Sequence, residues 1–273
     1  MPEVLRLLWG TVVLRPYVFA FLAMYVIAAS RHIGWKRTLV FIPVGYTLAW
    51  ISEFASITWG FPYGDYYYIH TTVGRELWVF GVPFMDSLSY VFLSYCSYSM
   101  ALFLLSPVTI SSGTLAVHET RYERRSFQVL ILGAFLFMML DVIIDPVALL
   151  GDRWFLGKIY GYKFEGHYFG IPMSNFGGWF VVGLVLIATL QILDRIVPAP
   201  IKKAPVLPLV SWMRLLGPIL YFSVLFFNMA VTFYINEYLL GFVDVMIVSM
   251  LLVLTLFFTG YKIRHRSVRL TTY

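Results

Sequence analysis

Apolar residues run along this chain in seven blocks, separated by short stretches where glycine, proline and charge collect. The blocks are Thr11 to Ala29, Leu39 to Ile57, Leu77 to Leu105, Phe127 to Leu150, Phe176 to Val197, Leu215 to Ile235 and Leu239 to Tyr261. A helix needs about 20 apolar residues to cross a bilayer, so each block predicts a transmembrane helix. A membrane β-barrel would instead show short alternating strands with a polar lumen. The expected fold is all-α: one integral-membrane domain over residues 1–273, built as a polytopic bundle of about seven spans. The first block is too long for a signal-peptide core and no small-residue cleavage site follows it, which predicts a retained anchor. Two blocks open alike, on Gly81-Val82-Pro83-Phe84-Met85-Asp86 and Gly170-Ile171-Pro172-Met173-Ser174-Asn175, a short internal repeat of the form G-[VI]-P-[FM]-x-[DN].

Composition removes the soluble alternatives. The chain is 60% hydrophobic and 12% charged, with a mean hydropathy of +0.80, outside the range of water-soluble domains. Its net charge of +6 is unevenly spread. If spans alternate, fourteen basic residues fall on one side and six (Arg6, Arg15, Arg75, Arg153, Lys158, Lys163) on the other. The positive-inside rule then predicts a cytoplasmic C-terminus and an N-terminus outside, in the cell membrane. Basic runs long enough to track nucleic-acid phosphates are missing, so membrane lipids are the expected partner of this charge. Ser106 to Ser126 and the proline-rich Pro198 to Pro208 read as linkers. Cys96, the single cysteine, excludes an intrachain disulfide.

Candidate chemistry appears where polar groups interrupt the blocks. Glu53, Asp86, Asp141, Asp145, Asn175, Asn228 and Asp244 all lie in apolar surroundings. An ionised group is costly there and usually carries a task. Asp141 and Asp145 are four residues apart and share a helix face. With alternating spans, every buried acid falls in the same half of the membrane, which points to a common pocket. That side also carries two aromatic loops, Phe61-Pro62-Tyr63-Gly64-Asp65-Tyr66-Tyr67-Tyr68 and Tyr160 to Tyr168. Most of these tyrosines fit an interfacial aromatic belt, but the dense glycine and proline suggest a folded lid. The five histidines lack metal-binding spacing, and nucleotide-binding and G-x-S-x-G patterns are missing, so neither a metal nor a cofactor is expected.

A carboxyl group in a low-dielectric pocket holds its proton more tightly, and beside a second carboxylate it shares that proton. Such a pair can protonate an isolated alkene or move a proton on a lipid. The residues that build it resemble the integral-membrane carotenoid hydratase family. The resemblance rests on Asp141-x-x-x-Asp145-Pro146, Tyr168-Phe169-Gly170-Ile171-Pro172-x-x-Asn175-Phe176-x-Gly178-Trp179, Glu53, Phe61-Pro62-Tyr63-Gly64-x-Tyr66-x-Tyr68 and Gly81-Val82-Pro83. It covers about Glu53 to Trp179. Met85 to Tyr90 departs from the family pattern, which is more apolar and contains tryptophan there, and this sets Asp86 apart from Glu53, Asp141 and Asp145.

The resemblance implies addition of water across the terminal C=C of an acyclic carotenoid. Asp141, Asp145, Glu53 and Asp86 are then the acid and base groups, with Tyr66, Tyr68, Tyr168, Phe169, Asn175 and Trp179 around the substrate. Two other readings remain at this point: a magnesium-dependent membrane prenyltransferase, since D-x-x-x-D resembles half of a diphosphate-binding motif, and a non-catalytic lipid-binding or transport protein with a proton path.

Overall fold

The computed structural model describes residues 2–111, 114–197 and 212–270; the Pro198 to Pro208 stretch lies outside them. Helix α1 (Glu3–Leu14) is followed by α2 (Pro16–Ala29) and α3 (Trp35–Trp59). The apolar block at Thr11 to Ala29 is therefore not one helix. Pro16 lacks an N–H and crowds the residue before it, so Arg15 leaves the helical region and the chain restarts at Pro16. Between α2 and α3 the chain reverses in a π-helical turn, Ser30–Gly34, ending where Gly34 takes φ +94°. Arg15 at one end of this hairpin binds Glu76, and Trp50 near the other donates to the Val79 carbonyl, which places both ends together.

The remaining long helices are α4 (Phe84–Leu105), α6 (Phe127–Leu149), α7 (Met173–Ile196), α8 (Leu216–Tyr234) and α9 (Tyr238–Leu270), with the short α5 (Arg121–Arg124) before α6. Among the described residues six helical stretches are long and apolar enough to cross a membrane, and the first, Pro16–Trp59, is the α2–α3 hairpin. The chain is an all-α, multi-pass integral membrane protein. Helix α4 is its axis: 83% of its apolar window is buried, against 33–56% for the others. It packs against α2, α3, α6 and α8.

Short sheets close the two ends. At one end β1 (Tyr66–Tyr68) pairs with β6 (Tyr160–Tyr162), and β2 (Trp78–Val79) with β3 (Val82–Pro83), all antiparallel. The block beginning at Leu77 thus becomes helix only at Phe84. Before it, Phe80 and Gly81 take positive φ in a hairpin turn. At the opposite end β4 (Val108–Ser111) pairs with β5 (Thr114–Val117), so the segment expected as a plain linker contains a hairpin. It also contains α5, held by a capping box between Thr120 and Glu123.

Candidate active site

The two sheet strands at the first end show why the aromatic loops are more than a belt. Alternate residues of a strand share a face, so Tyr66 and Tyr68 point one way and the exposed Tyr67 the other. In β6, Tyr160 and Tyr162 behave likewise. The antiparallel register sets Tyr66 opposite Tyr162 and Tyr68 opposite Tyr160, with Gly161 under Tyr67. Four phenols are thereby gathered on one face, over the ends of α3, α4 and α6.

That face covers a half-open cavity of about 120 Å³. Glu53 comes from α3, Asp86 from the first turn of α4, Asp141 and Asp145 from α6, and Asn175 and Trp179 from α7; all six line it. The sequence repeat explains two of them. Pro83 and Pro172 each precede a helix, and Asp86 and Asn175 are the third residue of their helices. No Lys or Arg pairs with any of the four acids among the described residues, although Arg15 lies nearby in a buried pair with Glu76 at 3.0 Å.

Phenols and one amide serve the carboxyls instead. Glu53 accepts from Tyr66 and Tyr90, and from Tyr68 at 2.9 Å. The Tyr68 hydroxyl also touches Asp86. One hydroxyl has one hydrogen, so it satisfies one of these carboxylates only, and the contact with the other requires a proton from that acid. Asp145 is better supplied: Oδ1 accepts from Tyr160 at 2.5 Å, and Oδ2 from Tyr162 at 2.7 Å and Asn175 Nδ2 at 3.0 Å. Asp141 receives a single donor, the same Asn175 Nδ2 at 2.7 Å on Oδ2. Its Oδ1 is buried with no partner. Burial, then the neighbouring carboxylates, hold the phenols of Tyr66, Tyr68, Tyr160 and Tyr162 above their ordinary pKa of 10, so they stay protonated as donors.

One wall of the cavity is a set of aromatic faces. Trp179 stacks on Tyr90 with ring centres 4.7 Å apart and lies 4.8 Å from Phe137. Tyr63 adjoins both, its hydroxyl 2.9 Å from Ser52 Oγ. Between α2 and α8 the lining is a collar of aromatic rings. Tyr17 stacks on Phe227 at 5.3 Å, and Phe21 and Trp154 flank them. This collar joins α2 to α8 and the loop after α6.

Two expected residues fall elsewhere. Tyr168 and Phe169 are outside the cavity lining. The 166–171 turn is closed by Gly166 N–H to Gly170 O and Ile171 N–H to Tyr168 O, and Tyr168 packs on Phe169 and Phe176 instead. Burial and the nearby Asp244 push the Tyr168 phenol up to about 12. Asp244 itself bonds Thr232 at 2.9 Å, while Asn228 reaches the cavity. Conversely, Tyr63, Tyr90, Tyr160 and Tyr162 contribute more than expected. The available signals were the Tyr-x-Tyr alternation at 160–162 and the four-residue step from Asp86 to Tyr90.

Uncharged donors and four acids thus share one cavity inside an apolar, multi-pass helical bundle. The family described as "Carotenoid biosynthesis protein" matches residues 10–256, which include every cavity residue named above. The chain belongs to that family, and its role is in carotenoid biosynthesis, with carotenoid and lipid as its contacts. Searches of curated proteins and of solved structures each give no match.

Proposed function

We propose that the chain is a carotenoid hydratase, adding water across the terminal C=C of an acyclic carotenoid by acid catalysis without a cofactor. The observation that carries this reading is the unequal donor supply to Asp141 and Asp145, one helical turn apart and joined through Asn175. Three donors suit an anion at Asp145, whereas the bare Oδ1 of Asp141 suits a neutral acid whose hydrogen points into the cavity.

On this reading the Asp141 proton passes to the less substituted alkene carbon and leaves a tertiary cation on its neighbour. The new charge lies against the π faces of Trp179 and Tyr90 and near the carboxylates of Asp145 and Glu53. A water oxygen then bonds to the cationic carbon, and the proton it sheds goes to Asp145. Return of that proton to Asp141 within the pair restores the site, so alkene plus water gives a tertiary alcohol. General acid–base catalysis of this kind contributes about 10²–10⁴-fold. The apolar collar of Tyr17, Phe21, Phe227 and Trp154 holds the chain behind the reacting end. The charge asymmetry supports a cytoplasmic C-terminus with the cavity in the outer half of the bilayer.

Among the described residues no three of His, Cys, Asp or Glu are grouped as metal ligands. The test is conversion of acyclic carotenoids by the purified chain in heavy-oxygen water, with products followed by chromatography and mass spectrometry. A labelled alcohol is expected. Folded protein that hydrates none of the acyclic carotenoids offered overturns the reading.

A further inference from the structure

We propose that a cleft at the end of the bundle opposite the cavity binds the phosphate of an anionic phospholipid headgroup, between Arg121, Arg125 and Arg195. The cleft measures about 580 Å³ and lies where α6 begins and α7 ends. Charge neutralisation at this end reaches Arg125 but stops short of Arg121 and Arg195. The acids at this end are Glu119, Glu123 and Asp194. Glu119 is taken by His32 and Arg124, at 2.8 and 2.9 Å. Glu123 caps Thr120 N–H at 2.6 Å. Asp194 is shared by Arg37 at 2.7 Å, Arg125 at 2.9 Å and Arg124 at 3.5 Å.

Two carboxylates, Glu119 and Asp194, among the three guanidiniums of Arg37, Arg124 and Arg125 leave positive charge over, and Arg121 and Arg195 are exposed with no acid in reach among the described residues. Residues outside the described set contain no Asp or Glu to supply one. The start of α6 adds the positive end of a 23-residue helix, where Ser126 Oγ caps only the Val129 N–H of the first turn. Guanidiniums with free N–H groups match phosphate oxygens in pairs.

Two features favour a lipid over a free anion. The cleft lies at the height where the apolar run starts, beside exposed Tyr122 and Phe127, the side chains typical of a headgroup boundary. Directly beneath it, Phe127, Ile131 and Phe135 are exposed at four-residue spacing on α6, with Ile192 and Ile196 exposed on α7. Four-residue spacing makes one continuous helix face, so an acyl chain hanging from a bound phosphate has an apolar track. Basic pockets between membrane helices bind lipid headgroups through this combination.

The test is native mass spectrometry of the detergent-solubilised full chain, titrated with phosphatidylglycerol, with phosphatidylcholine of the same chains, and with inorganic phosphate. Phosphatidylglycerol is expected to bind at least about tenfold more tightly than phosphatidylcholine. The double variant Arg121→Gln/Arg195→Gln is expected to lose most of that preference, and Arg121→Lys/Arg195→Lys to keep part of it. Arg31→Gln/Lys36→Gln removes equal charge from exposed positions at the same end and is expected to change the preference less than about twofold. An equal loss in that control, equally tight phosphatidylcholine, or displacement of the lipid by inorganic phosphate at similar concentration would each overturn the proposal.

Discussion

Asp141 and Asp145 differ by their neighbours rather than by residue type, and that difference predicts different responses to the same substitution. Asp141→Asn replaces the acid by an amide that cannot give up a proton; turnover of an acyclic carotenoid is expected to fall by about 10³-fold or more. Asp145→Asn places an amide among three donors, so at least one buried hydrogen bond is lost. A fall in activity is expected there together with a lower melting temperature, because an unmet buried donor costs about 1–3 kcal/mol. Wild-type turnover in both variants removes the pair from catalysis. The acids were legible in the sequence because a charge inside an apolar run is conspicuous. The tyrosines were not, since a tyrosine near a membrane boundary looks the same whether it anchors in lipid or turns inward to a carboxylate. Tyr168 and Phe169 lie outside the cavity lining for a related reason. A contiguous motif says that residues are needed together, but the 166–171 turn carries these two side chains away from the cavity while Asn175 enters it.

At the scale of elements, hydropathy located the long helices and missed what interrupts them. Arg15 and Pro16 break a block whose average is apolar throughout, and the Gly81 turn folds residues that hydropathy assigns to a span. Neither signal survives averaging over about 20 residues. The placement of α7 depends on one such local detail. A Cβ on Gly178 would stand 2.6 Å from the Pro62 carbonyl oxygen and 2.7 Å from Tyr63 Cδ1. Gly178→Ala must therefore move α7 away from the 61–63 loop, and Asn175 and Trp179 move with it. Overpacking of this kind costs about 1–3 kcal/mol. A lower melting temperature and at least about a tenfold loss of turnover are expected, measured side by side. Full activity would mean that the α7 position is not critical. The collar between α2 and α8 makes a second prediction at this scale. Phe227→Ala opens the stack on Tyr17 in the aromatic collar of the cavity. It is expected to raise KM about tenfold for a full-length polyene while leaving a short isoprenoid with the same terminal alkene nearly unaffected. Equal changes for both substrates would show that the collar does not hold the chain.

The two polar ends of the molecule differ in how their buried acids are served, by uncharged donors around the cavity at one and by a shared network of ion pairs at the other. At the second end Glu119 is the junction: it meets His32 and Arg124, and His32 Nδ1 continues to the Tyr95 hydroxyl at 3.1 Å on the central helix. Burial alone would raise the Glu119 carboxyl, but the attraction of His32 and Arg124 outweighs it and holds the group at about 2, below its ordinary 4.5. A carboxyl whose pKa is lowered on folding stabilises the folded state fully above its unfolded value and loses that contribution as pH falls through the folded one. Glu119→Gln removes the nearer counter-charge of the Arg124 guanidinium and breaks a buried ion pair, a change that typically costs about 3–5 kcal/mol. The variant is therefore expected to unfold well before the wild type at neutral pH, and the gap to close as pH falls from about 4.5 towards about 2. Because this network lies at the opposite end from the cavity, turnover at temperatures where both proteins are folded is expected to stay near wild type. A gap that does not change with pH would mean that Glu119 is not ionised in the folded protein. A selective loss of turnover at full stability would mean that the two ends are coupled through α4.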